Sequence, residues 1–324
     1  MLRSYQYTEK PYLERPLQNN AVFQQELNMI KDFSLKHPSP EQFKTVCPMC
    51  GSVYSDPFFV KWKMSYVRCK ECKTVYAITD IKDVDEYLGW NALKSFRMDQ
   101  QYQKNVKISR QNSWREYVEW LEVRSFRFLR KNKGLNILDV GNKWKGFSDL
   151  IKTSNICGAY ENVEPTHIKD AFCCTDGRAD LIIYNDSLKT EIAPRRTINA
   201  LRNILSSSGM IVIGARAGSG FDILTLKENN ARIAPYEHIL LPSVNGLTTF
   251  LTQNGFEILE ITTPGVMDVS YVMDNLKDIE DKELFIQALL SESEGIILQE
   301  FQRFLQKSCM SSLVRVIARK REES

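Results

Sequence analysis

Two pairs of cysteines near the amino terminus constrain the fold of this chain more than any other feature. Cys47 is followed by Cys50 and Cys69 by Cys72, and eighteen residues separate the first pair from the second. This spacing is typical of a four-cysteine zinc site, in which two tight turns direct four thiolates at one ion. Strand-like residues flank both turns, so the spacing predicts a small zinc ribbon. Two unrelated thiol pairs or a disulfide framework are the alternative interpretations.

Downstream of residue 134, apolar strand-like runs alternate with helical patterns. The first run is Leu135–Gly141 and the last is Leu313–Arg319, while Pro194 and Ser243 are placed to begin two of the intervening helices. This alternation predicts an α/β fold, in which a mostly parallel, Rossmann-like sheet has helices on both faces. Ligands are then expected at the edge of the sheet where the parallel strands end.

Together these patterns divide the chain into four regions. We expect an N-terminal helical arm (1–44), the zinc ribbon (45–80), a helical connector (81–134) and a Rossmann-like domain (135–324) with a helical insert at about 282–306. No apolar run approaches the roughly 20 residues that cross a bilayer, and the N-terminus lacks the apolar core of a signal peptide. The expected protein is therefore cytoplasmic and has no membrane span.

The net charge of +3 is unevenly distributed along the chain. Residues 1–133 carry +8 and residues 134–324 carry −5. A basic half can attract nucleic acid, nucleotides or phosphorylated substrates. The basic residues are scattered, however, and no stripe of alternating aromatic and basic residues accompanies them, which favours a solvated helical surface. A nucleic-acid-modifying enzyme with a zinc-ribbon reader is accordingly a third hypothesis behind the two developed below.

Six short segments carry a resemblance to a known family. They are Leu138–Gly141, Asn162–Pro165, Gly220–Leu224, Pro235–His238, Gly255–Glu257 and Val316–Lys320. On these segments the chain from about residue 110 resembles the class I S-adenosylmethionine-dependent methyltransferases. More narrowly, it resembles bacterial members that carry an N-terminal zinc-binding module and act on sugars or nucleotide sugars, as in polysaccharide biosynthesis.

The resemblance implies a binding site for S-adenosylmethionine. Asp139 and Gly141 would open the cofactor loop, whose backbone N–H groups would bind the methionine carboxylate. Glu164 would accept hydrogen bonds from both ribose hydroxyls. Asp176 is the candidate for the adenine contact, and Asp186 is a candidate for a further cofactor contact.

Three consecutive residues are candidates for the chemistry of methyl transfer. Because the sulfonium is an activated methyl donor, the enzyme chiefly has to align the acceptor and remove a proton. His238, with an ordinary pKa of about 6.5, suits the removal of a proton. Glu237 would orient His238 or act as the base, and Tyr236 would bind a substrate hydroxyl. A buried, hydrogen-bonded structural histidine is the alternative for His238.

The cofactor loop departs from the pattern of the family. Lys143 and Lys145 replace two glycines, and Gly146 falls one position late. Glycine at such positions allows a close approach of the backbone to the ligand, which two lysines and Trp144 would crowd. The loop is therefore a degenerate version of the family motif.

A second departure is the interval of fifteen residues between Glu164 and Asp180, which is too short for the usual helix and strand. The retained Glu164 and the Glu237–His238 pair predict a methyltransferase that acts on a small hydroxylated metabolite, such as a sugar or nucleotide sugar. The two departures predict instead a catalytically inactive protein of this fold that serves as a binding or scaffold subunit. The partners expected are a small-molecule substrate and a protein or second copy of the chain.

Overall fold

The structure is a computed structural model that describes residues 2–3, 21–40, 46–170, 178–279 and 283–321. Its strands are β1 (Leu2–Arg3), β2 (Ser55–Lys61), β3 (Met64–Cys69), β4 (Val75–Ile78), β5 (Leu135–Val140), β6 (Cys157–Val163), β7 (Ala179–Asn185), β8 (Leu205–Arg216), β9 (Leu240–Leu241), β10 (Phe256–Thr262) and β11 (Leu313–Lys320). Its α-helices are α1 (Ala21–Lys36), α2 (Ile81–Gly89), α3 (Asn91–Met98), α4 (Gln100–Leu129), α5 (Lys145–Lys152), α6 (Pro194–Ile204), α7 (Phe221–Leu226), α8 (Val244–Gln253), α9 (Asp268–Asp274), α10 (Leu284–Glu292) and α11 (Gly295–Lys307). Within these ranges, no helix combines the length and the apolar character that crossing a bilayer requires.

Seven strands of the described residues form the central sheet, in the order β1-β10-β11-β8-β7-β5-β6. The pairs β5–β6, β5–β7, β7–β8 and β1–β10 are parallel, whereas β11 runs antiparallel to both of its neighbours. The predicted α/β fold with a mostly parallel sheet is confirmed. After β6 the chain forms a 3-10 turn at Pro165–Asp170, and in the described part of the chain no strand pairs with the outer edge of β6.

Alternate residues of the central strands pack into cores on opposite faces of the sheet. Ile137 of β5 lies in a core with α4 and α5, whereas the next residue, Leu138, lies in a core that includes Leu201 of α6 and Leu247 of α8. Successive side chains of a strand point to opposite faces, so helices cover this sheet on both sides, as predicted.

The zinc-ribbon region forms a second, antiparallel sheet that continues into the Rossmann-like region. β2, β3 and β4 pair in order, and β9 adds a fourth strand through the pairing of Val75 with Leu241. Tyr66 of the ribbon and Phe33 of α1 belong to the same apolar core as α6 and α8. The arm and the ribbon therefore share one core with the α/β sheet.

The predicted connector consists of three helices, α2, α3 and α4. Asp80 caps α2 and Asp99 caps α4. The side chain of each aspartate accepts hydrogen bonds from backbone N–H groups in the first turn of its helix. The residue that follows α4, Arg130, adopts a left-handed φ of 58° and ends the helix. The insert forms α10 and α11, which pack with α7 and α9 in a small separate core.

Candidate functional site

The four predicted metal ligands lie on two turns with the same backbone hydrogen bonds. The N–H of Cys47 donates to the carbonyl of Ser52 (2.8 Å), and the N–H of Cys69 donates to that of Thr74 (2.9 Å). In each turn the fourth residue after the first cysteine has a positive φ, 80° at Gly51 and 65° at Lys73. This repeated geometry tilts both cysteines of each turn toward the same point.

The sulfur atoms of the two turns meet. The Sγ atoms of Cys47 and Cys72 lie 3.6 Å apart, as do those of Cys50 and Cys69, and all four lie within 4.8 Å of one another. A tetrahedral site with Zn–S bonds of about 2.3 Å requires sulfur atoms about 3.8 Å apart. The four thiols therefore fit zinc, and since all four positions are occupied by protein sulfur, the ion would be structural.

The cysteine cluster is packed against the first turn of α8. The Ser243 hydroxyl donates to the carbonyl of Cys72, and Thr74 lies 3.2 Å from the Sγ of Cys72. A Cβ at Gly246 would lie 2.2 Å from Oγ1 of Thr74 and 3.2 Å from Sγ of Cys72. Glycine at this position allows α8, a helix of the α/β region, to approach the cluster.

A cleft of about 2450 Å³ opens where β5, β6, β7 and β8 end. Its walls include the loops after these strands, residues from α1 to α4 and the segment 231–238. Pockets for one drug-sized ligand occupy roughly 300–1,000 Å³, so this cleft has room for a cofactor and a substrate together.

Asp139, at the end of β5, is buried and holds the start of the cofactor loop. Its Oδ2 accepts a hydrogen bond from the Tyr160 hydroxyl (2.7 Å), which also lies 2.9 Å from Oγ of Ser148. Burial raises the pKa of Asp139 to about 7. Asn142 completes the network, since its side-chain amide donates to Ser148 and its Oδ1 accepts the N–H of Trp144.

The two glycines of the loop serve different purposes. Gly141 has φ = 75°, and a Cβ there would lie 2.2 Å from Oγ of Ser187, so this position requires glycine. A Cβ at Gly146 would lie 2.7 Å from the ring of Trp114, so Gly146 allows α5 to approach α4. Both residues line the cleft.

The bulky loop residues do not close the cleft. Trp144 packs against α4, where its ring stacks on Tyr102 at 6.1 Å and the guanidinium of Arg110 lies over it. Lys143 lines the cleft and is exposed there, and the nearby charges of Arg97 and Lys189 lower its pKa. Lys143 therefore adds a cation to the space that a cofactor would enter.

The other predicted cofactor residues are distributed as follows. Glu164 follows β6 and is exposed to the cleft, and its carboxylate has no partner among the described residues. Asp186 follows β7 with φ = 62° and pairs with Lys189 at 2.7 Å. The nearby charge of Lys189 lowers the pKa of Asp186. Asp176 lies outside the described residues.

Glu237 is held in a chain of buried ion pairs. Its Oε2 lies 2.8 Å from Nη2 of Arg97, its Oε1 lies 3.0 Å from Nζ of Lys189, and the Tyr87 hydroxyl donates to it at 2.7 Å. Arg97 also contacts Glu26 of α1 at 2.6 Å. Although burial alone would raise it, these cations hold the pKa of Glu237 well below its ordinary value. Both oxygens of Glu237 are thus engaged, which leaves it no free oxygen to act as a base.

His238 lines the cleft in a defined tautomer. Its Nδ1 accepts a hydrogen bond from the backbone N–H of Ala234 (3.2 Å), so the neutral ring carries its proton on Nε2. Burial, with the nearby charges of Lys189 and Arg216, lowers the pKa of His238 to about 3. In this state the ring is a hydrogen-bond donor, which argues against the expected role as a proton acceptor.

Tyr236 does not reach the cleft. It is fully buried, its hydroxyl donates to the carbonyl of His37 (2.8 Å), and its ring packs against Phe33 and Tyr87. The expected contact with a substrate hydroxyl therefore has no support in this position, and Tyr236 fixes the segment to α1 and α2.

Sequence reasoning missed four cations of the cleft, namely Arg97, Lys189, Arg216 and Arg232. Arg216 and Lys189 had a usable signal, since Arg216 ends a parallel strand and Lys189 follows one, at the edge where ligands bind. Arg97 and Arg232 had none, because their roles depend on carboxylates and rings that are distant in sequence.

No protein-family model matches this chain, and no curated protein matches it. Similar solved structures include geranyl diphosphate methyltransferase in complex with SAM, which is 12% identical over 68% of this chain and 91% of its own, with a TM-score of 0.41. The plantazolicin methyltransferase BamL with SAH is 14% identical over 74% and 94%, with a TM-score of 0.38. A SAM-dependent methyltransferase from Archaeoglobus fulgidus is 15% identical over 63% and 94%, also with a TM-score of 0.38. At TM-scores below 0.5 these likenesses carry no argument about the function of this chain.

Proposed function

We propose that this chain is an S-adenosylmethionine-dependent methyltransferase that acts on a small hydroxylated metabolite, a sugar or nucleotide sugar. The observation that carries the proposal is the carboxylate of Glu164, which has no partner within the described residues and faces an open cleft, lined also by Gly141, at the carboxyl edge of the sheet. A carboxylate at the end of the second strand can accept both hydroxyls of a ribose. The size of the cleft supports a second ligand beside the cofactor.

Three residues would bind the cofactor or orient the acceptor. S-adenosylmethionine, when bound, supplies an activated methyl group. Glu164 would bind the ribose, and Gly141 would let the backbone at the end of β5 approach the ligand. His238 would donate a hydrogen bond from its Nε2–H to an oxygen of the acceptor and thereby orient it.

One observation favours the alternative of a binding or scaffold subunit without cofactor. Lys143 places a cation in the cleft, close enough to Glu164 for their charges to interact. A sulfonium is also a cation, so Lys143 would weaken its binding by repulsion. The two functions differ in whether S-adenosylmethionine binds at all.

The test is a thermal unfolding experiment with S-adenosylmethionine and S-adenosylhomocysteine at millimolar concentration. A ligand that binds the native state raises the melting temperature, so the methyltransferase proposal expects a shift with either compound. Glu164→Gln should remove the shift. Asp149→Asn, which neutralises an exposed carboxylate elsewhere in the same cleft, should keep it. No shift with either compound would overturn the proposal in favour of the scaffold.

A further inference from the structure

The first residue of interest in the cleft wall is Arg232. It follows a 3-10 turn at Lys227–Asn229, and its guanidinium lies over the ring of Tyr271, 3.8 Å from the ring centre. Within the described residues this guanidinium makes no ion pair and no hydrogen bond. A half-buried arginine with five free N–H donors is costly unless an acceptor binds it.

A second arginine lies beside it. Arg216, at the end of β8, also lines the cleft, and Asn230 links the two arginines, since its Oδ1 accepts the backbone N–H of Arg232 at 3.0 Å and its side-chain amide shares an oxygen of Asp222 with Arg216. Burial and the nearby charge of Arg216 lower the pKa of Arg232. The ion pair of Arg216 is long, with Nη1 3.4 Å from Oδ2 of Asp222. Asp222 is fully buried, and the side-chain amide of Asn230 donates to the same oxygen at 3.1 Å.

Two buried carboxylates, Asp222 and Asp268, lie near the arginines. Asp268 is buried, and its two oxygens accept hydrogen bonds from Gln302, Ser311 and Ser312. Asp222 contacts Arg216 and Asn230 only through Oδ2. Arg216 thus has a long ion pair with Asp222, whereas within the described residues neither carboxylate pairs with Arg232.

His238 adds a third donor to the same wall. Its Nε2 has no partner among the described residues, and its Nδ1 accepts the backbone N–H of Ala234, which is two residues from Arg232. Two guanidinium groups and one imidazole N–H form a donor set for an anion with several oxygens.

We propose that Arg216, Arg232 and His238 form a subsite for a phosphate group carried by the methyl acceptor, so that the substrate class is a sugar phosphate or a nucleoside-diphosphate sugar. The identity of the ligand as the methyl acceptor rests on the proposed function, whereas the phosphate subsite itself does not. Phosphate matches the planar fork of a guanidinium and can accept from two arginines at once. A carboxylate has fewer oxygens to share between them.

The subsite is tested by calorimetry with inorganic pyrophosphate as the probe, in about 150 mM salt so that weak surface binding is screened. Wild-type protein should bind pyrophosphate, and Arg232→Gln should weaken the binding by about tenfold or more, because a charge-assisted contact is lost. Arg196→Gln is the matched control, since Arg196 is an exposed arginine that lines another part of the same cleft, and it should leave the affinity unchanged. Wild-type protein that does not bind pyrophosphate, or equal weakening by both variants, would overturn the subsite.

Two further measurements complete the test. If circular dichroism shows that Arg232→Gln is unfolded, Arg232→Lys takes its place; it keeps the charge, loses the fork and should still weaken binding. Acetate should not bind, and acetate affinity equal to that of pyrophosphate would overturn the assignment to phosphate. Parallel titration with S-adenosylhomocysteine distinguishes the proposals, because failure with this compound alone rejects the methyltransferase and failure with pyrophosphate alone rejects the subsite.

Discussion

Nη2 of Arg97 lies 2.8 Å from Oε2 of Glu237, although the two residues are 140 positions apart in the sequence. Each side chain is only 12% exposed. This contact joins α3 of the connector to the segment that carries His238, and Lys189 on the other side of Glu237 extends it to the loop after β7. The position of His238 in the cleft therefore depends on helices that precede the α/β region.

Glu237→Gln should destabilise the protein by about 3 kcal/mol, because it leaves Arg97 and Lys189 buried without their shared carboxylate. Glu257→Gln removes an ion pair with Arg319 in which both partners are about half exposed. This variant should therefore lower the free energy of unfolding by less than about 1 kcal/mol. Urea unfolding of the two variants measures the difference. Similar losses in both would show that the buried chain of ion pairs does not stabilise the fold.

The stability of the protein should decrease as the pH rises from about 4 to about 7 through the contribution of Asp139. Its pKa is raised to about 7 in the folded state, so in this interval the native protein binds a proton that the unfolded chain has lost. Asp139→Asn removes this contribution. Between pH 5 and pH 8 the free energy of unfolding of the variant should therefore rise by ~2 kcal/mol relative to that of the wild type. Asp149→Asn, at an exposed carboxylate, is the control. Parallel pH profiles for Asp139→Asn and wild type would contradict the assignment.

His238 should not titrate between pH 5 and pH 8. Its pKa is lowered to about 3, so the ring stays neutral over this range and carries its proton on Nε2. NMR of the ring resonances measures this directly. Movement of the resonances with a midpoint near pH 6.5 would show that the Ala234 contact does not hold.

If methyl transfer is observed, His238→Gln should retain more activity than His238→Leu, because glutamine keeps an N–H donor. We expect the leucine variant to lose about tenfold or more in turnover and the glutamine variant to lose less. Equal losses would indicate that the ring acts as a base after all. Melting temperatures of the two variants control for damage to the fold.

Elemental analysis should find one zinc ion per chain. Cys69→Ser removes a fully buried ligand and should lower the zinc content and the unfolding temperature, since binding of a structural metal contributes to folding. Cys309→Ser, at a cysteine outside the cluster, should change neither. A zinc-free chain that stays folded, with the stability of the wild type, would rule out the metal centre.

Local sequence patterns predicted the elements and the metal ligands because each depends on residues close together in the chain. The C-x2-C turns follow from spacing, and the strands β5 to β8, β10 and β11 follow from their apolar runs and the alternation with helical patterns. The two-residue strand β9 was not predicted, because it forms only by pairing with β4. The interval of fifteen residues after Glu164 is too short for the usual helix and strand, and within the described residues no strand pairs with the outer edge of β6.

Tertiary structure decided the roles of the side chains in the cleft. His238 and Glu237 are neighbours in the sequence, yet one is held as a neutral donor and the other as a fully paired carboxylate. Their protonation depends on burial and on Arg97, Lys189 and Arg216, which come from three distant parts of the chain. The sequence by itself determined which groups are present and which elements carry them. Folding determined the charges each group faces, because electrostatic interaction depends on distance in space and not on separation along the chain.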